Sequence, residues 1–244
     1  DTITLTNSPH NYTVKKDGSG DYTTIQACAN AVYYGDTCTV YTGTYDEYVT
    51  VPSSGQSGSL ITFQASGSVK VSGFSISNRS YVKIKGFEIT ESGQSNIGSY
   101  ALNLGISNHN IIESNNIHDT ASVCIKTDIY SNSQYNQIIN NTVSRCGYIG
   151  MQVIGDYNII DNNDMSHDDN FIQLMGSYNF VTNNTFRDVA LTDWVSPGDT
   201  HIDGIETSPS DGDIHSTHNV IENNLMYNGL DTNTHFMLLR NISS

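Results

Sequence analysis

The stretch NIIDNNDM (residues 158–165) decides the fold, because its spacing of asparagine and apolar residues recurs along the chain. The five strong copies read NIIESNNI, NQIINNTV, NIIDNNDM, NFVTNNTF and NVIENNLM, and they begin at Asn110, Asn136, Asn158, Asn179 and Asn219. A weaker copy, VKIKGFEI, begins at Val82, and successive starts lie 28, 26, 22, 21 and 40 residues apart. Repeats of this length indicate a solenoid, in which each unit stacks on the next.

Three columns repeat in the five strong copies without exception. They are Asn110, Asn136, Asn158, Asn179 and Asn219; then Ile112, Ile138, Ile160, Val181 and Ile221; then Asn115, Asn141, Asn163, Asn184 and Asn224. Asparagine tolerates a left-handed backbone and hydrogen-bonds in turns, and asparagines stacked in register satisfy one another's amides. The segments lack the 3.6-residue period of a helical solenoid. We therefore predict short stacked strands with the Ile/Val column filling a narrow interior.

Composition narrows the class of protein. The 244 residues carry a formal net charge of −15, so the chain does not offer the positive charge that a nucleic acid partner requires. No stretch approaches the roughly 20 apolar residues of a membrane span. The four cysteines are compatible with two disulfides outside the cytosol, and we expect a secreted or cell-surface protein.

The columns resemble the right-handed parallel β-helix superfamily, which includes pectate lyases and polygalacturonases. Residues 15–51, KKDGSGDYTTIQACANAVYYGDTCTVYTGTYDEYVTV, resemble the start of many such chains. The resemblance implies an all-β, right-handed parallel β-helix with a short N-terminal capping helix, here roughly Thr24–Val32. We expect one domain over residues 1–244, with a cap region at 1–35 and stacked coils at 36–244. This fold hosts many functions, so the resemblance alone does not imply one activity.

Both ends of the predicted solenoid carry expectations. A cap shields the unpaired sheet edge at the start, and we expect a Cys28–Cys38 disulfide to tie the cap helix to the first strand. Cys124 and Cys146 are about one coil apart and could form a second disulfide across a corner. No C-terminal cap is readable after FMLLRNISS, so either the chain is truncated or a partner, including another copy end to end, covers that end.

A second strand follows each asparagine turn. Its apolar–x–apolar cores read FSI, LNL, IKT, MQV, IQL, IET and MLL. Because strand side chains alternate, the middle residues should face outward, with neighbours roughly 4.8 Å apart. The predicted exterior row is Ser75, Asn103, Lys126, Gln152, Gln173, Glu206 and Leu238.

Longer loops lead into these strands from one side, and such loops usually flank the binding face of a repeat protein. The candidate substrate-binding residues in the row and its loops are Gln152, Gln173, Trp194, His167, His201 and His235. A loop tryptophan suits stacking on a sugar, but it suits packing beneath its own loop equally well.

Two segments resemble hydrolase strands of the superfamily. HDDNFIQLMGSYNFVTNNTF (167–186) resembles the DD-containing strand of polygalacturonase-type hydrolases, and HIDGIET (201–207) resembles a strand common in the superfamily. A carboxylate pair of Asp168 or Asp169 with Asp203 would suit inverting hydrolysis, which needs carboxyls roughly 6.5–9.5 Å apart. The NTD-type, G-H-G and R-I-K motifs of that family are absent, and aspartates in turns also hydrogen-bond backbone.

The lyase interpretation uses other residues. In the lyases that this chain resembles, the base is a Lys or Arg on the exterior face, which makes Lys126 and Arg240 the candidates. Calcium would neutralise the substrate carboxylate, with Asp168, Asp169, Asp203 and Glu206 as candidate ligands. Lys126 should lie three coils, about 14 Å, from Glu206, whereas Arg240 should lie one coil away. The alternatives are an Arg240–Glu206 ion pair and a solvated Lys126.

The leading hypothesis is therefore a secreted polysaccharide-active β-helix, either a lyase or a glycoside hydrolase, acting on an acidic polysaccharide at an exterior groove. The alternative is a non-catalytic cell-surface, sheath or glycan-binding β-helix. The asparagine content and the incomplete hydrolase motifs favour that alternative.

Overall fold

The computed structural model of the protein describes residues 8–90, 100–127, 133–168, 170–189, 202–207, 216–229 and 234–239. It begins with β1 (Asn11–Val14), α1 (Ile25–Ala31), β2 (Thr37–Thr50) and β3 (Ile61–Ser75). The further strands are β4 (Val82–Lys85), β5 (Glu88–Thr90), β6 (Tyr100–Gly105), β7 (Ile111–Glu113), β8 (Asn116–Thr120), β9 (Val123–Thr127), β10 (Gln137–Ile139), β11 (Thr142–Cys146), β12 (Ile149–Ile154), β13 (Ile159–Asp161), β14 (Asp164–Ser166), β15 (Asn170–Met175), β16 (Phe180–Thr182), β17 (Thr185–Arg187), β18 (Ile202–Thr207), β19 (Val220–Glu222), β20 (Leu225–Tyr227) and β21 (Thr234–Leu239).

All pairings between these strands are parallel, and they form three sheets around one core. The long strand β3 pairs with β4, β5 and β6 in turn, so it contributes to each sheet. The first sheet continues through β4, β7, β10, β13, β16 and β19, and the second through β5, β8, β11, β14, β17 and β20. The third continues through β6, β9, β12, β15, β18 and β21. The predicted all-β parallel β-helix is confirmed.

The predicted cap helix is confirmed as α1, with Thr24 as its N-cap and Val32 as its C-cap. The Thr24 side chain accepts a hydrogen bond from the Ala27 amide, and the Glu47 carboxylate accepts from the amides of Ile25 and Gln26. These bonds satisfy donors that a helix start leaves unpaired. The predicted Cys28–Cys38 disulfide joins α1 to β2 with the Cα atoms 6.3 Å apart.

The core repeats the sequence pattern coil by coil. The Ile/Val column of the first sheet is 0% exposed from Ile84 to Val181. In the second sheet the matching buried column is Ile89, Ile117, Val143, Met165 and Phe186. Because one coil alone could not bury such a column, stacking supplies most of the apolar stabilisation.

Both asparagine columns form ladders that are buried except at their last members, Asn219 and Asn224. In each, the side-chain oxygen accepts the backbone N–H of the asparagine one coil earlier, at 2.8–3.0 Å. The side-chain amide donates to a carbonyl of that earlier coil, as from Asn141 to Ile112 at 2.9 Å. The weaker copy fits the same register, because Val82 and Phe87 donate their amides to Asn110 and Asn115.

At the two asparagine corners, the left-handed residue is the one immediately before the asparagine, which corrects the expectation that the asparagine columns themselves hold that conformation. At the second column, the residue before the asparagine is Ser114, Asn140, Asn162, Asn183 or Asn223, with φ of 53–59°. At the first, it is an aromatic side chain with φ of 56–59°. This aromatic column consists of Tyr81, His109, Tyr135, Tyr157, Tyr178 and His218, whose rings stack with centroids 4.7–5.0 Å apart.

A second disulfide joins Cys124 in β9 to Cys146 in β11, with Cα atoms 5.5 Å apart, as predicted. It closes the corner between the second and third sheets. Within the described ranges, no helix has the length and apolar character that crossing a membrane would require.

Candidate functional site

The outer face of the third sheet carries the predicted polar row in the predicted register. Its Cα pairings run Ser75–Asn103, Asn103–Lys126, Lys126–Gln152, Gln152–Gln173, Gln173–Glu206 and Glu206–Leu238. The side chains from Ser75 to Gln173 are partly exposed, as expected for outward positions, but Glu206 is only 6% exposed. The row is therefore open along its first five positions and closed at Glu206.

Lys126 is held by Tyr100, a contact that the sequence interpretation missed. The Lys126 ammonium donates to the Tyr100 hydroxyl oxygen at 2.7 Å and lies 4.1 Å from the centre of the Tyr100 ring. Tyr100 begins β6, opposite Val123. Because its oxygen accepts from Lys126, the hydroxyl proton remains available for a bound ligand. Both groups belong to the types that transfer protons in enzymes.

Gln152 and Gln173 extend the polar row beyond Lys126. Gln152 donates its amide to the Gln173 side-chain oxygen at 2.6 Å, across the step between β12 and β15. This bond aligns the two amides along the sheet. Substrate binding by these two residues stays a prediction.

Three of the predicted carboxylates lie together in adjacent coils and are buried. Asp168, Asp203 and Glu206 are 3%, 0% and 6% exposed. Asp203 pairs with Asn170, two residues after Asp168, and donates its amide to the Asn170 side chain at 3.1 Å. Burying an ionised carboxylate is costly unless hydrogen bonds or charges compensate it, so this concentration distinguishes the region from the other described coils.

Asp168 also has a structural role. One of its oxygens accepts the Cys146 amide at 2.7 Å, directly beside the Cys124–Cys146 disulfide. A Cβ atom at Gly150 would come within 3.1 Å of the other Asp168 oxygen and 2.5 Å of the Met165 methyl group. The glycine therefore allows the carboxylate to approach β12 closely.

The neighbouring His167 occupies a left-handed turn position with φ of 59°. The pKa of Asp188 lies below its ordinary value, chiefly because Asn228 and Arg187 hydrogen-bond to it, with a smaller electrostatic contribution from His167. His167 therefore lies at the corner between the second and third sheets, on the side where Asp168 leads into β15.

Lys126 and the buried carboxylates do not meet in one site. Lys126 is three strand steps from Glu206 along the row, about 14 Å at 4.8 Å per step. The predicted distance between Lys126 and Glu206 thus agrees with the strand register, and Lys126 is separated from the buried carboxylates.

Calcium remains a prediction. Among the residues that the structure describes, no group of three or more His, Cys, Asp or Glu side chains is arranged to hold a metal. One Asp168 oxygen already accepts a backbone amide. The described carboxylates do not make a calcium site by themselves.

Four predicted site residues, Asp169, Trp194, His201 and Arg240, lie outside the described residues. For His235 only the backbone is described, and it pairs with Asp203 in the neighbouring coil.

Solved structures share this fold at low sequence identity. A rhamnogalacturonan lyase matches with a TM-score of 0.70 and 16% identity over 90% of this chain and 68% of its own. An alginate lyase from Paenibacillus sp. strain FPU-7 matches with a TM-score of 0.58 and 14% identity, over 93% of this chain and 99% of its own. A lacto-N-biosidase from Eubacterium ramulus matches with a TM-score of 0.60 and 10% identity, over 89% of this chain and 56% of its own. These likenesses show the fold alone.

No curated protein matches the chain in sequence. The family model of the right-handed β-helix region matches residues 72–238, which include the strands of all three sheets from the end of β3 to β21. The chain belongs to the right-handed β-helix family.

Proposed function

We propose that this protein is a polysaccharide lyase that binds an acidic polysaccharide across the outer face of the third sheet. The observation that carries the proposal is the contact between Lys126 and Tyr100, at 2.7 Å, on the open part of the polar row. We further propose that it acts outside the cytosol, where its two disulfides would persist.

The reaction would be a β-elimination. A base removes the proton from the carbon next to the uronate carboxylate, a C=C bond forms, the glycosidic C–O bond breaks, and the leaving oxygen receives a proton. The Lys126 ammonium would pair with the substrate carboxylate and stabilise charge that develops there. Tyr100 would act as both base and acid: its hydroxyl oxygen would accept the proton from the carbon while its own hydroxyl proton passes to the leaving oxygen, so the side chain ends unchanged.

Charge distribution supports this placement. Residues 1–127 contain ten acidic and seven basic side chains, so 12 of the 15 net negative charges fall on residues 128–244, which include Glu206 but not Lys126. The neighbours of Lys126 in the polar row are Asn103 and Gln152. Both side chains are uncharged, so neither repels an anionic ligand. An acidic polymer would therefore meet less repulsion near Lys126 than near Glu206.

The similar structures add support of a limited kind. Two of them are named as an alginate lyase and a rhamnogalacturonan lyase. The fold is thus compatible with lyase chemistry on a polysaccharide, while the assignment to this chain depends on Tyr100 and Lys126.

Glycoside hydrolysis is the second candidate, and the burial of Asp168, Asp203 and Glu206 in adjacent coils favours it. Hydrolysis uses two carboxyl groups that flank the glycosidic bond. This centre would lie about three coils from Lys126, so substitutions can separate the two candidates.

The test is incubation with a panel of acidic and neutral polysaccharides, with calcium and with a chelator. The proposal predicts an unsaturated product that absorbs in the ultraviolet, from acidic substrates only. Loss of this product in the presence of the chelator would support the predicted calcium. New reducing ends without that absorbance would indicate hydrolysis instead. Binding without turnover on the whole panel would favour the non-catalytic glycan-binding alternative.

A further inference from the structure

We propose that the outer face of the first sheet binds a second copy of this chain, with the two solenoids side by side and antiparallel. The proposal concerns a face other than the one discussed above and does not depend on the proposed function.

The outer face of the first sheet is two residues wide, because each strand from β7 onward has three residues and its middle one points inward. One outer row is Lys83, Ile111, Gln137, Ile159, Phe180 and Val220. The other is Lys85, Glu113, Ile139, Asp161, Thr182 and Glu222. Phe180 is 46% exposed, and the outer isoleucines are partly exposed.

The other two sheets differ from this one. The outward residues of the second sheet are polar from β5 to β17, as at Asn116, Thr142 and Asp164. The third carries the polar row around Gln152. Within the described residues, a continuous run of outward apolar side chains is therefore a property of the first sheet, and such runs mark interaction surfaces.

The aromatic column borders this face and widens it. Tyr135, Tyr157 and Tyr178 are 44%, 39% and 41% exposed. Their ring faces are covered by their stacked neighbours, so a sugar could not stack on them; only the ring edges and hydroxyl groups remain open. A flat protein surface suits such a row of edges better than a sugar does.

Charge selects a second copy in antiparallel orientation. The first two strands of the face carry Lys83, Lys85 and their shared ion-pair partner Glu113, a net charge of +1, whereas the last three carry Asp161 and Glu222, a net charge of −2. The two copies would be related by a rotation of 180° about an axis that lies in the interface, parallel to the strands. This rotation brings the lysine end of one copy opposite the acidic end of the other. A two-fold contact of this kind uses the same surface on both subunits. A parallel arrangement would place lysines opposite lysines.

The contact should be weak, because the face is only six strands long and two residues wide. Five steps of about 4.8 Å give a length of roughly 24 Å, which places the buried area at the low end of specific interfaces. The third sheet stays accessible in such a dimer.

Sedimentation velocity of the full chain over a concentration series tests the proposal. We expect a concentration-dependent dimer, and Phe180→Asp should raise its Kd at least tenfold. Leu225→Asp is the matched control, because Leu225 is 55% exposed on the second sheet; it should leave the Kd unchanged. A thermal unfolding scan of each variant verifies folding.

A charge exchange tests the orientation. Glu222→Lys should weaken the dimer several-fold, and adding Lys85→Glu should recover most of the loss. The proposal is overturned if the protein remains monomeric up to about 1 mM, the Kd of a marginal complex. It is also overturned if Leu225→Asp weakens the dimer as much as Phe180→Asp does, or if the double exchange gives no recovery.

Discussion

Asn163 holds Asn141 in the preceding coil: its side-chain oxygen accepts the Asn141 backbone amide at 2.9 Å and the Asn141 side-chain amide at 3.0 Å. Its own amide group donates to the Ile138 carbonyl at 2.9 Å. One side chain thus satisfies two donors and one acceptor of the neighbouring turn, in a position only 1% exposed. The ladders therefore fix the stacking of coils, which in turn positions the rows on the outer faces.

The first prediction is that Asn163→Ala lowers the free energy of unfolding by at least about 2 kcal/mol. Each buried polar group that loses its hydrogen-bond partner costs about 1–3 kcal/mol. The exposed neighbour Asn162 supplies the control, and Asn162→Gly keeps the left-handed conformation of φ 53° available. Urea unfolding measures both variants. Equal losses for the two variants would mean that the ladder contributes no special stability.

The second prediction concerns the aromatic column. Tyr178 stacks on Tyr157 at 5.0 Å and on His218 at 4.7 Å. Tyr178→Asn keeps a residue that tolerates φ of 59° but removes both contacts, so it should cost about 1–3 kcal/mol, whereas Tyr178→Phe should cost much less. Urea unfolding of the pair is the measurement. A Phe variant as unstable as the Asn variant would show that the hydroxyl group, and not the stacking, stabilises the column.

The third prediction is a pH dependence at Asp119. Hydrogen bonds from Arg145 hold the pKa of Asp119 well below its ordinary value of 3.8. A carboxyl whose pKa is depressed in the folded state stabilises the fold above its unfolded pKa, and this contribution is lost as pH falls through the folded value. Asp119→Asn should therefore lower Tm at pH 6–7, with the difference from wild type shrinking below about pH 4.

Salt provides the control for that pair. Asp119 and Arg145 are half exposed, so 0.5 M salt at neutral pH should also reduce the difference in Tm. A difference in Tm that does not change with pH would contradict an electrostatic origin.

The fourth prediction concerns the Cys124–Cys146 disulfide, whose cysteines are 22 residues apart. The double variant Cys124→Ala/Cys146→Ala should lose about 3 kcal/mol of unfolding free energy, because the cross-link restricts the unfolded chain. The lower stability should appear in non-reducing urea titrations. If the variant unfolds at the same urea concentration as the wild type, the stacking of the coils, and not the disulfide, stabilises this corner.

The fold was predictable because the side-chain period of the coils is visible in the sequence. The columns of Asn110, Ile112 and Asn115 recur at fixed offsets, and that spacing was enough to place Lys126, Gln152 and Gln173 in one outer row. The aromatic column was overlooked although its signal is equally regular: Tyr or His directly precedes each asparagine of the first column. We had expected asparagine to hold the left-handed conformation at the corners, because bulky residues rarely adopt a positive φ.

The site was less predictable, because side-chain contacts depend on reach across the sheet and not on column position. Tyr100 contacts Lys126 although its own Cα pairs with Val123, three residues earlier. The burial of Glu206 also departs from the strand alternation that predicts an exposed side chain there. Alternation locates a residue on a face but does not specify what covers it.

The most direct test of the central claim is the rate of ultraviolet-absorbing product formed from an acidic polysaccharide by Tyr100→Phe and Lys126→Met, compared with wild type. Tyr227→Phe is the matched control, because Tyr227 is 42% exposed on the second sheet. We predict that each site variant loses at least about 100-fold in rate, as expected for removal of a general acid or base or of a charge that stabilises the transition state, while the control retains full activity. Wild-type rates in both site variants, with loss of activity only in Glu206→Gln or Asp203→Asn, would contradict a lyase centred on Tyr100 and Lys126.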